Sequence, residues 1–215
     1  MNDFLSEISR CPLFNGIAPD ELGRVLACIS TQKRSYKKGD IIVRVGDKID
    51  FVVWIINGTV SVTYENSDGH ITILESASAP DMFLNAFDYI QYSPALAVAA
   101  VDCELLFIKV ITPCSPMCSF HAQMLKNLLY GVSKASVKLL NKVIIFTQPT
   151  HRQKVLSFLN MISEQNGKAK KFTVPYNREE MAQYLNVNQS ALSKELRKMS
   201  EDGVIRFWRN EFELL

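Results

Sequence analysis

Residues 178–199 read Arg-Glu-Glu-Met-Ala-Gln-Tyr-Leu-Asn-Val-Asn-Gln-Ser-Ala-Leu-Ser-Lys-Glu-Leu-Arg-Lys-Met. Met181, Ala182 and Leu185 give a first short helix one apolar face. Asn186 falls where the chain must turn, and Asn tolerates the left-handed backbone better than other side-chain-bearing residues. Val187 closes the turn from inside. Asn188 is placed to N-cap a second helix by accepting from its free N–H groups, and that helix turns Leu192, Leu196 and Met199 inward. Two short helices with a tight turn and the small Ala182 at their crossing make a helix-turn-helix, a motif whose second helix enters the DNA major groove. The alternative is an amphipathic helix pair in a small bundle. The flanks argue against it: Lys171–Val174 reads as a short strand, and residues 204–215 read as two strands about an Arg209-Asn210 turn, the wing of a winged helix.

Working outward, 215 residues suit one large domain or two small ones, and 47% hydrophobic residues suffice for packed cores. The longest apolar runs, such as Phe51–Ile56, are too short to span a membrane. The first seven residues have neither a basic start nor an apolar stretch, so no secretory signal is read and a cytoplasmic location is expected. From Pro149 onward, 11 Lys and Arg stand against 8 Asp and Glu, whereas the preceding part carries 13 against 14. This small cationic excess accompanies the helix-turn-helix, as phosphate binding requires. Five cysteines in a chain without an export signal argue against a disulfide framework.

Residues 2–10 read as a short amphipathic helix. A second is expected from Ala18, with Leu22, Val25, Leu26 and Ile29 on one face. From Thr31 to Val110 the pattern changes to short β-branched and aromatic runs. Glycine corners separate them at Gly39, Gly46, Gly58 and Gly69, arguing an antiparallel roll or barrel. A long helix follows from about Ser119 to Phe146. Leu125, Leu128, Val132, Ala135 and Leu139 recur on it in steps of three and four, the spacing of a coiled-coil seam, so dimerisation is expected. Thr150 is placed to cap the next helix, from His151. The fold class expected is α+β. The domains expected are a β-roll sensor with N-terminal helices (1–117), a dimerisation helix (118–148) and a winged-helix DNA-binding domain (149–215).

This order of elements resembles the CRP/FNR family of bacterial transcription regulators. The sharpest pieces are the glycine corners, the stretch Thr150–Phe158 and Arg178–Met199. The resemblance implies a cyclic-nucleotide-binding-like β-roll and a homodimer on a roughly two-fold site of double-stranded DNA. Its recognition helices would lie about 34 Å apart. RNA polymerase becomes a further candidate partner. Carried over by position, Gln189, Ser190 and Lys194 face bases, Gln suiting adenine and Lys guanine. Arg178, Arg197 and Lys198 face the DNA backbone, and Asn188 joins them at the start of the recognition helix. The family commonly has Arg where Gln189 stands, so the half-site is expected to differ from the usual one.

The sensor departs further from the resemblance. Cyclic-nucleotide members carry Gly-Glu and then Arg-Ser/Thr-Ala in the roll. Leu84-Asn85 stands at the first position, and Ser93, Pro94, Ala95 and Leu96 span the second. Without the charge-assisted contact to phosphate, cAMP is not the expected effector. The effector-pocket residues by this alignment are Leu84, Asn85, Ser93 and Ala95. A metal, iron–sulfur or redox site is the alternative, using Cys114, Cys118 and His121 with Cys11 as a further ligand, because Cys118 and His121 are three apart on a helix face. Ordinary partly buried cysteines near a helix start are the competing reading. A cupin-like enzyme would need converging histidines, and the roll offers only His70, so catalysis is not expected.

Overall fold

The computed structural model describes residues 6–84, 92–110 and 119–215. Residues 6–8 are helical, a 3₁₀ turn spans Pro12–Phe14, and α1 spans Pro19–Leu26. Eight strands follow: β1 (Ile29–Tyr36), β2 (Ile41–Val43), β3 (Val52–Asn57), β4 (Thr59–Glu65), β5 (Ile71–Ser78), β6 (Met82–Leu84), β7 (Leu96–Ala99) and β8 (Cys103–Val110). After them come α2 (Ser119–Phe146), α3 (His151–Gln165), β9 (Lys171–Thr173), α4 (Arg178–Leu185), α5 (Gln189–Glu201), β10 (Ile205–Trp208) and β11 (Glu211–Leu214).

The roll is made of a sheet in the order β1-β8-β3-β6 and another in the order β2-β7-β4-β5. Val53, Ile55, Leu105 and Phe107 turn to the roll interior with Ile49, Val60 and Phe83. Their neighbours Trp54, Leu106 and Ile108 turn the other way, onto Ile8, Leu13, Phe14, Leu22 and Phe120. Both faces of β3 and β8 are thus covered, which explains why these strands read as unbroken apolar runs and not as an alternation. The Gly58 corner is obligatory. Its φ is +96°, and a Cβ there would lie 2.5 Å from the Asp102 carbonyl oxygen.

Two expectations are corrected. Ile29 is buried, but as the first residue of β1, since α1 stops at Leu26. Leu84, read only as an effector-pocket residue, ends the strand Met82–Leu84, β6, which pairs with β3.

By spatial grouping the chain forms two compact units, residues 1–63 with 75–136 and residues 64–74 with 137–215. The long helix is divided between them. In the first unit, Phe120, Met124 and Leu128 of α2 pack onto the apolar cluster under the roll. The second unit has its own core of Val155, Phe158, Leu159, Met181, Leu185, Leu192, Leu196, Met199 and Phe212, to which Ile73 and Ile145 add. Its sheet runs β10-β11-β9, with Trp208 opposite Glu211 across a two-residue turn.

Candidate nucleic-acid interface

Helix α4 begins with a capping box. Asn177 Oδ1 accepts from the Glu180 N–H at 2.9 Å, and the Asn177 N–H donates to Glu180 Oε2 at 2.8 Å. The Asn-x-x-Glu spacing signals this directly in the sequence. The helix ends at Asn186, left-handed at φ 50° and ψ 56°. Val187, buried, donates its N–H to the Ala182 carbonyl at 3.0 Å and closes the turn. Asn188 then caps α5, its Oδ1 accepting from the Ser190 N–H at 2.9 Å and from the Ser190 hydroxyl at 2.6 Å. The turn also meets the β4–β5 hairpin, where His70 Nε2 lies 3.0 Å from Asn186 Oδ1.

Helix α5 buries Leu192, Leu196 and Met199 and exposes Gln189, Ser190, Ser193, Lys194, Arg197 and Lys198. Ser193 was missed from sequence. It lies four residues from both Gln189 and Arg197, so helical spacing alone places it in the same row. Ser190 has its O–H committed to Asn188 and offers an outside partner its lone pairs. The helix is braced from behind by Arg152 of α3, whose Nε donates to Glu195 at 2.8 Å and whose guanidinium also pairs with Asp202. Among the described residues, Lys194, Arg197 and Lys198 have no ion-pair partner.

Arg178, expected to face the DNA backbone, makes contacts within the protein. Its guanidinium donates to the Arg209 carbonyl at 3.2 Å and lies 5.2 Å over the Phe207 ring and 5.7 Å over that of Phe212. Burial lowers its pKa from the ordinary arginine value. It joins the start of α4 to the wing tip, and an open cleft of about 650 Å³ there is lined by Arg178, Trp208, Arg209, Asn210 and Glu211. A second cation, Lys142 of α2, is buried against α4. It donates to the Tyr184 carbonyl and lies 3.2 Å over the Tyr184 ring and 4.8 Å over that of Phe146. Burial pulls its pKa down to about 6.

The sensor residues are less gathered. Asn85, Cys114 and Cys118 lie outside the described residues, and Leu84 is placed only as the end of β6, opposite Val52. Ser93 is buried, with its hydroxyl donating to the Ala95 carbonyl at 2.7 Å. It turns to its own backbone and not to the roll interior as a phosphate ligand would. Cys11 is buried among Leu13, Phe14 and Val25, and burial pushes its thiol up to about 12. A metal ligand must be a thiolate, so this environment opposes the ligand role. His121 is exposed on α2. Among the described residues no group of three or more His, Cys, Asp or Glu is placed to hold a metal. No described helix is long and apolar enough to cross a membrane.

On α2 the expected seam residues divide. Leu128 packs inward with Met124, while Leu125 and Leu139 are exposed and Val132 and Ala135 are half-buried. Leu129, Val137, Leu140, Val143 and Ile144 are also exposed. The outward row with heptad spacing is therefore Leu125, Leu129, Val132, Ser136, Leu139 and Val143.

Residues 33–110 match the family described as cyclic nucleotide-binding domain, and residues 153–215 match that described as Crp-like helix-turn-helix domain. The chain is 24% identical over 191 residues to the transcriptional activator protein FnrL of Cereibacter sphaeroides, covering 80% of this chain and 71% of that protein. Among solved structures it is similar to FixK2 from Bradyrhizobium japonicum, with TM-score 0.69, 18% identity, and 86% and 92% of the two chains covered. It is also similar to the c-di-GMP-responsive regulator CLP of Xanthomonas campestris, with TM-score 0.67, 17% identity, and 92% and 99% covered.

Proposed function

A chain that joins these two domains in this order belongs to the CRP/FNR family of transcription regulators, with double-stranded DNA as partner, and we propose that it acts as a homodimer answering a signal other than a cyclic nucleotide. The observation that carries the DNA end is the α5 surface. A polar and cationic row of Gln189, Ser190, Ser193, Lys194 and Arg197 stands opposite a row buried as core. Gln189 and Lys194 read base edges, Gln189 by pairing with adenine N6/N7 and Lys194 by donating to guanine O6/N7. Arg197, Lys198 and the amide of Asn188 hold phosphates and fix the register. None of this is catalysis, and the protein is not an enzyme.

The dimer reading is supported by the outward apolar row of α2, from Leu125 to Val143, which meets an identical row in a second copy. The three-part division into roll, seam helix and winged helix describes how these tasks are shared. The sensor reading is supported by Ser93, whose hydroxyl is already taken by Ala95, and by a roll interior lined with Val53, Ile55, Phe83, Leu105 and Phe107. Among the described residues that lining holds no cation of its own, although the Arg34 guanidinium lies 4.7 Å over the Phe107 ring.

Selection of duplexes from a random pool by the full-length protein tests the DNA reading. The recovered site is expected to be two-fold, with half-sites one helical turn apart, and its affinity to fall steeply with added salt. Recovery of no consensus, with affinity indifferent to salt, would overturn it.

A further inference from the structure

We propose that Lys142 is a proton-operated latch between the end of the long helix and the helix-turn-helix. Its uncharged amine, seated on the last turn of α4, holds α5 in the pose that reads DNA, and a proton taken up by that amine drives the side chain out to water and loosens the hold on DNA. This rests on the recognition-helix reading above and extends it to the control of that helix. The placement of the residue carries it. Residues 137–146 of α2 lie in the same compact unit as the helix-turn-helix. Lys142 is only 3% exposed there, and a lysine so enclosed is rare unless a carboxylate accompanies it. Among the described residues Lys142 has no ion-pair partner. Its amine donates to the Tyr184 carbonyl and lies over the Tyr184 and Phe146 rings.

The bonded carbonyl belongs to the segment that aims the recognition helix. Tyr184 is in the last turn of α4, two residues before the left-handed Asn186 and four before Asn188, the cap of α5. The Ala182 carbonyl of the same turn receives the Val187 N–H. Tyr184 is fixed in its turn by aromatic neighbours, with Tyr176 stacked 4.9 Å from it and Phe158 of α3 tilted at 5.2 Å. A displacement of Lys142 therefore acts on a packed turn whose next residues set the direction of α5.

Two forces compete at this seat. A carbonyl at a helix C-terminus and two ring faces attract a cation. Enclosure opposes one, because an ammonium brings three donors into a site with one carbonyl to receive them. Enclosure wins, and burial pulls the pKa down to about 6. The flexible four-carbon stem lets the charged head leave for water without unfolding of the helix that carries it. Other titratable groups stand around the seat. Lys138 is four residues earlier on α2, Lys154 of α3 lies 5.8 Å over the Phe146 ring, and Tyr176 and Tyr184 are stacked. His70 Nε2 lies 3.0 Å from Asn186 Oδ1 and is the group to control for, since it touches the same turn.

The test is the affinity of the full-length protein for a duplex it has selected, at constant ionic strength from pH 8 to pH 5, with circular dichroism showing that each protein stays folded. Wild type should lose about tenfold for each protomer by pH 5, because one pH unit below the pKa leaves about a tenth of the amines uncharged. The sign is distinctive, since positive charge gained on acidification would by itself tighten binding to phosphates. Lys142→Met should bind as wild type does at pH 8 and keep that affinity at pH 5. Lys142→Arg, charged throughout, should bind weakly at every pH. His70→Gln should keep the wild-type profile. Wild-type affinity that holds or rises at pH 5 would overturn the latch, and so would an equal loss in Lys142→Met or a flat profile in His70→Gln. Full binding by Lys142→Arg at pH 8 would also overturn it, as the mark of a cation anchored on the rings. Should Lys142→Arg fail to fold, the Lys142→Met profile decides. Absence of salt-dependent binding by wild type at pH 8 would instead overturn the recognition-helix reading, and the latch with it.

Discussion

Among single residues, two cations have roles that their identities alone do not announce. Arg178 stands where the resemblance puts a phosphate contact, yet its guanidinium faces the wing. Lys198 is exposed and has no ion-pair partner among the described residues. Lys198→Ala should therefore reduce the slope of log affinity against log salt by about 1, whereas Arg178→Ala should leave the slope nearly unchanged. Titration at several salt concentrations reads both; equal slope losses would return Arg178 to the phosphate set. Lys142 is the second case. Its folded pKa is about 6 against an ordinary 10.5, so between those values the unfolded chain binds more protons than the folded one. Stability then rises with pH across that window, falls as pH drops toward 6, and is flat below it. The nearby groups are the Tyr184 carbonyl, the Tyr184 and Phe146 rings, and Lys154 5.8 Å over the same Phe146 ring. Lys142→Met should stabilise the protein at pH 7 and flatten its pH profile, read from urea midpoints between pH 6 and 9. A loss of stability at pH 9 and pH 7 alike would mean that the bond to Tyr184 outweighs the desolvation.

At the level of elements, α2 separates two readings of one sequence. Its apolar residues are so numerous that a row through Leu128 and a row through Leu129 both have heptad spacing, and sequence cannot choose between them. Packing can. Leu128 meets Met124 and the cluster under the roll, whereas Leu129 is exposed. Leu128→Ala should lower folding stability by about 2–3 kcal/mol, as truncation of a packed leucine does. Leu129→Lys should leave helix content intact and shift the protein to monomer in sedimentation. The opposite pattern would restore the Leu128 seam. The helices and the caps at Asn188 and Thr150 were legible because their signals are local, as was the turn at Asn186, and the Thr150 hydroxyl accepts from the Gln153 N–H; the Asn177–Glu180 capping box is as local but was not read. Strand β6 was not legible. Its three residues carry no period of their own and become a strand only by pairing with β3.

For the whole molecule, the order of parts could be read from sequence, and with it the family. A roll cornered by glycines, a long helix and a terminal wing leave few alternatives. What depends on distant residues could not be read. His70 and Asn186 meet across 116 positions, within the compact unit that holds residues 64–74 and the helix-turn-helix. The clamp of Arg178 on the wing tip is of the same kind, since neither partner carries a local signal for the other. The signal end stayed illegible because it departs from the family pattern at Leu84, Asn85 and Ser93, and a departure says what is lost and not what replaces it. The DNA end, by contrast, rests on one row of side chains on α5. The measurement that tests it most directly is the affinity of the full-length protein and its Lys194→Ala variant for the selected duplex and for a scrambled duplex of equal length. The variant should lose about 1–3 kcal/mol on the selected duplex and nearly nothing on the scrambled one. Equal losses on both, or none on either, would contradict base reading by α5.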